Sequence, residues 1–139
     1  MAKNSRSRAR ELSFKLVFED MFGTNTANEM LFRLFEEEVN WQEISENDTD
    51  YINWVRENVK EHQAELDEII STFAKGWTIQ RMNRVDVAIL RLALCEIIYR
   101  EDVTSAIAIN EAVELAKKYS ADGGASFING ILGAYVRSL

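Results

Sequence analysis

The sequence has no proline in 139 residues, one cysteine and one histidine. Without proline nothing fixed interrupts the helical spacing of apolar residues, which recurs from end to end, and the expected class is all-α. The lone Cys95 excludes an intrachain disulfide and fits a reducing compartment; inside the run ILRLALCEII it reads as core filler. With no second histidine or cysteine beside it, His62 is expected to be exposed or capping, not a metal ligand. No apolar run approaches the ~20 residues that span a bilayer, and no signal-peptide segment follows the N-terminal charges. A soluble, cytoplasmic protein without a membrane partner is expected. Also missing is any nucleophile–base pair, opposed carboxylate pair, metal-ligand cluster or phosphate-cradling glycine loop, so neither an enzyme nor a cofactor is expected.

Cations are scarce too, and unevenly placed. The formal charge is −7, yet Met1–Arg10 carries Lys3, Arg6, Arg8 and Arg10 with no acid; subtracting these four leaves −11 on the rest. Between Glu36 and Glu68 twelve acids face two bases, Arg56 and Lys60. That stretch is either a solvated face or a surface that repels a polyanion and confines it to the basic end. Any nucleic-acid contact must then be local.

What is present is a succession of helices in a length suited to one compact domain, residues 1–139. The first is expected from Ser5 to Phe22 with Gly23 ending it. Arg6, Arg10, Phe14 and Phe18 form a row at spacing four, so a basic end runs into an aromatic surface, unless the phenylalanines are core and the tail is frayed. Thr26 and Glu29 form a capping box for a second helix with Met30, Leu31, Leu34 and Phe35. A third, after a loop of Ser45, Asn47 and Asp48, places Tyr51, Ile52, Val55 and Val59 on one face; a break near Glu61–Gln63 separates it from a fourth with Leu66, Ile69, Ile70 and Phe73. The fifth, Val85–Arg100, is apolar at twelve of sixteen positions and reads as the central post, with Arg91 and Glu96 as ion-pair residues at its edge. Thr104 and Ser105 are candidate caps of the sixth. Asp122-Gly123-Gly124 turns the chain into the last helix, where Gly130 and Gly133 suggest a close helix–helix approach. Cations beside aromatics are the means by which proteins hold single-stranded nucleic acid, through phosphates and stacked bases.

Three stretches resemble the NusB family, and the likeness covers essentially the whole chain. They are Arg8-Ala9-Arg10-Glu11; Trp77 and Arg81 followed by VDVAILRLALCEI; and, most specific, AINEAVELAKKYS from Ala108 to Ser120, continued by Phe127-Ile128-Asn129-Gly130-Ile131-Leu132. The resemblance implies about seven helices in two packed subdomains. It implies a non-enzymatic transcription antitermination factor that binds boxA RNA together with a small-subunit ribosomal protein acting as NusE, within the RNA polymerase antitermination complex, notably in ribosomal RNA operons. A homodimer of the free chain is left open. By the same resemblance, Lys3, Arg6, Arg8, Arg10, Phe18 and Phe127 contact RNA, and Asp86 lies where RNA and partner meet. Phe18 stands in place of a common tyrosine, Gly123 and Gly124 in place of acidic or polar residues, and Thr104 in place of a frequent proline. The competing readings are the RNA-binding domain that precedes a methyltransferase in some RNA-modifying enzymes, and a helical interaction module whose acidic surface is the working face.

Overall fold

The computed structural model describes residues 5–22 and 44–139. Among them are five α-helices and no strand: α1 (Ser5–Asp20), α2 (Glu46–Phe73), α3 (Arg84–Tyr99), α4 (Ser105–Tyr119) and α5 (Gly124–Arg137), with a single 3-10 turn at Ile79–Arg81. The expected helix around Met30–Phe35, its Thr26–Glu29 capping box, the Gly23 stop and Lys3 lie outside the described residues. The chain forms two compact units, Met1–Glu57 and Asn58–Leu139, with the boundary inside α2.

In the first unit α1 buries Ala9, Arg10 and then every residue from Leu12 to Val17, Ser13 and Lys15 included. Six consecutive buried residues cover more than a full turn, so no face of that stretch points outward. The row Arg6–Arg10–Phe14–Phe18 is therefore no continuous surface: Arg10 is 3% and Phe14 2% exposed, while Arg6 and Phe18 are half-buried. Ser45 starts α2, its Oγ accepting from the Asp48 amide at 3.1 Å. Acids in the first turn, Glu46 and Asp48, suit the positive end of the helix dipole.

The expected break at Glu61–Gln63 is absent: α2 is one helix of 28 residues. Its buried stripe passes through Val55, Val59, Leu66 and Ile70, with His62 filling the gap. His62 is neither a cap nor fully exposed. Its ring stacks on Tyr99 with centroids 4.0 Å apart, which lets a polar residue occupy a core-facing position. Two expected helices thus merge, which together with the undescribed one accounts for five instead of seven.

In the second unit α3 is buried without interruption from Asp86 to Glu96, as the apolar run implies, and packs against α4 and α5, which also pack on each other. Asn83 caps it, Oδ1 accepting from the Val85 amide at 2.8 Å. Cys95 is fully buried, and desolvation followed by the nearby Glu96 pushes its thiol up to about 12, so it is an inert core residue. Thr104 caps α4 through a 3.2 Å bond from the Ile107 amide, supplying the start signal without proline. Gly123 takes φ +87, the left-handed conformation a glycine adopts at least cost. Among the described residues the expected close approach at Gly130 and Gly133 is not observed: a Cβ on Gly130 would meet none of them within 4 Å, and one on Gly133 would meet the Arg137 side chain of its own helix. The tight glycine is Gly124, where a Cβ would lie 1.9 Å from Ser120 Oγ and 3.3 Å from Asp86 Oδ1. No described helix is long and apolar enough to cross a membrane.

Candidate nucleic-acid interface

In the first unit the arginines of α1 are not equivalent. Arg8 is exposed. Arg6 donates from Nε to Asp48 Oδ1 at 3.1 Å, and its guanidinium carbon lies 4.4 Å from the Tyr51 ring centroid. Arg10 lies 5.7 Å from the same centroid and is buried. Tyr51 thus gives both guanidiniums a π-face while Asp48 balances the charge of Arg6. Of the three, Arg8 is the exposed one, and Arg6, two positions before it, points to a different side of the helix. Phe18 packs edge-on to Phe22 at 5.0 Å and tilted to Phe14 at 6.3 Å, part of its ring remaining accessible.

Burial pushes the Asp48 carboxyl upward, but hydrogen bonds from Ser5, Arg6 and Ser45 and the Arg6 charge outweigh it, leaving it below the ordinary 3.8. A depressed folded value stabilises the fold above 3.8, and that share is lost as pH falls through the folded value. Asp48→Asn is therefore expected to cost about 1–2 kcal/mol at neutral pH. In urea unfolding across pH, the gap to wild type should narrow below 3.8; a gap of constant size would show that the Asp48 charge contributes nothing.

In the second unit Asp86 sits in the first turn of α3, 7% exposed, and accepts the Ser120 hydroxyl proton at 2.5 Å. Desolvation by burial raises its carboxyl, and the Ser120 bond offsets only part of that rise. Asp86, Ser120 at the end of α4 and Gly124 at the start of α5 form a clasp. One turn further along α5 is Phe127, whose amide donates to Gly123 O at 3.0 Å. The half-buried Phe127 ring meets Trp77 edge-to-face, centroids 6.4 Å apart at 71°. Trp77 is itself 54% exposed.

The structure therefore brings Asp86 and Phe127 to neighbouring helix starts in one unit and gathers Arg6, Arg8, Arg10 and Phe18 on α1 in the other. Sequence reasoning passed over three residues. Asp48 and Tyr51, the partners of Arg6, lie some 40 residues from it, and no periodicity links them. Trp77 was noticed only as a point of resemblance, although a signal was there: Lys75, Arg81 and Arg84 surround it in a stretch, 74–85, without a single acid.

By architecture this is a small all-α protein with cationic and aromatic side chains on defined helix starts. The model of the NusB family matches residues 7–137, and the chain belongs to that family. It is 42% identical over 132 residues to the transcription antitermination protein NusB of Acetivibrio thermocellus, covering 95% of this chain and 88% of that protein. It is 40% identical to the NusB of Natranaerobius thermophilus, covering 92% and 91%. Among solved structures, T. maritima NusB superposes with a TM-score of 0.80 at 28% identity, covering 99% of this chain and 93% of that one. A chain of the crystal structure of antitermination factors NusB and NusE in complex with dsRNA superposes with a TM-score of 0.77 at 25% identity, covering 97% and 98%.

Proposed function

We propose that this NusB-family protein binds boxA-type nascent RNA together with the small-subunit ribosomal protein NusE, as part of the RNA polymerase antitermination complex, and supports read-through in ribosomal RNA operons. The observation that carries the reading is the likeness, along nearly the whole chain, to a structure of NusB and NusE in complex with dsRNA; that the RNA is held as a single strand rests on the partly exposed aromatics. In this reading Arg8 and Arg6, with Lys3, attract phosphates, and Phe18 and Phe127 receive unstacked bases. Arg10 supports α1 from within, on Tyr51. Asp86 stands at the meeting place of RNA and partner and, through Ser120, shapes the turn that presents Phe127. The protein acts by binding and catalyses nothing.

Titration of boxA RNA across salt tests the electrostatic part. Three or four phosphate contacts on a single strand predict a log–log slope of roughly −2 to −3. Arg8→Ala, at an exposed position, should flatten that slope by about 0.7, one phosphate, and weaken boxA and scrambled RNA alike. An unchanged slope would remove Arg8 from the interface.

A further inference from the structure

Trp77 occupies the connection between α2 and α3, outside any helix. Helix α2 ends at Phe73, and Lys75 at φ +45 and Gly76 at φ +92 follow it, two successive residues of positive φ that lead directly into Trp77. A left-handed lysine costs roughly 1–2 kcal/mol, so this turn is maintained against a local penalty. The indole is not buried; it is 54% exposed, and its ring meets that of Phe127 edge-to-face. A single exposed aromatic is ordinary on a protein surface. This one differs in its company. Segment 74–85 holds Lys75, Arg81 and Arg84 and no acid, in a chain of formal charge −7, making it a second basic island after the N-terminus. Lys75, Arg81 and Arg84 are all exposed. Trp77 also lines a groove of about 640 Å³ with Asp67, whose charge is balanced by Arg91, and with Glu68, whose exposed carboxylate repels phosphate from that side.

Resting on the RNA-binding reading above, we propose that Trp77 is a base-stacking residue, and that with Phe127 it forms a two-ring platform for unpaired bases of single-stranded RNA. A half-exposed indole that meets a second ring, in a chain segment whose charges are all cationic, combines a π-face for sequence-tolerant stacking with attraction for the adjoining phosphates. Edge-to-face geometry at 71° keeps the two rings from stacking on each other: the edge of one ring meets a face of the other, and the exposed part of the indole is left for a base.

The test uses the full chain with boxA RNA, with and without the ribosomal protein. Trp77→Ala is expected to weaken binding of the single strand by about 5- to 150-fold with no change in salt slope, since a stacked base is lost and no phosphate contact with it. Trp77→Phe should recover most of the loss. In a variant carrying Trp41→Phe and Trp54→Phe, leaving Trp77 as the sole indole, emission should be quenched by single-stranded RNA. Wild-type affinity in Trp77→Ala, or no quenching, overturns the platform while leaving the RNA-binding reading intact. A loss seen only with the ribosomal protein present also overturns it, assigning the indole to a protein contact. Failure of the wild-type chain to bind boxA RNA at all defeats both.

Discussion

Asp67→Ala is expected to destabilise the second unit by about 2–3 kcal/mol, the cost of leaving a largely buried guanidinium without its part-buried carboxylate. Arg91 lies on α3 in the middle of its buried stretch, with a side chain 7% exposed, and both Nε and Nη2 donate to the two Asp67 oxygens at 2.8 Å. Such bidentate geometry satisfies a guanidinium that is largely withdrawn from water. Remove the carboxylate and the charge stays buried without its partner. Replacing both residues, Arg91→Met with Asp67→Leu, should return most of the stability, because the demand and its satisfaction leave together. Urea unfolding of the two variants distinguishes this from simple loss of packing: a single variant within about 1 kcal/mol of wild type would mean that the pair is peripheral.

Gly124→Ala has the second-largest expected effect, about 1–3 kcal/mol from overpacking, and it reaches the candidate interface. The added Cβ would fall 1.9 Å from Ser120 Oγ and 2.7 Å from Ser120 Cβ. Rotation of the hydroxyl could relieve the first contact, at the expense of its bond to Asp86. The second involves an atom fixed to the backbone, so the start of α5 must shift. Phe127 and its edge contact with Trp77 shift with it. Unfolding should therefore occur at lower denaturant, and boxA RNA should bind more weakly even where the variant is fully folded. Wild-type stability would show that the clasp yields without cost.

The legible part of the fold was the part encoded by local signals. The nearly unbroken apolar run of α3, the Thr104 cap of α4 and the glycine turn before α5 all rest on residues a few positions apart. What escaped depended on distant partners. The polar residues at Glu61–Gln63 looked like a helix break because the ring that accepts His62, Tyr99, belongs to another helix. Arg10 is expected on a surface row, yet α1 is buried along its middle, Lys15 included. Gly130 and Gly133 were chosen over Gly124 because composition cannot say which glycine faces a side chain.

The candidate interface divides along the same line. The basic start of α1 stands out in an acidic chain, but not that Arg6 is balanced by Asp48 while Arg8 is exposed. Phe127 is a site residue by family resemblance, Trp77 only one of the residues that carry that resemblance, and their contact is visible in the structure alone. The acid-free stretch around Trp77 shows that charge counted in short windows carries information that the net charge of the whole chain conceals.

The most direct test of the central reading is equilibrium binding of the wild-type chain to boxA RNA and to a scrambled RNA of equal length, with and without the small-subunit ribosomal protein at fixed salt. The account predicts preference for boxA, tightened when the ribosomal protein is present. Equal affinity for both RNAs in the presence of that partner would contradict it.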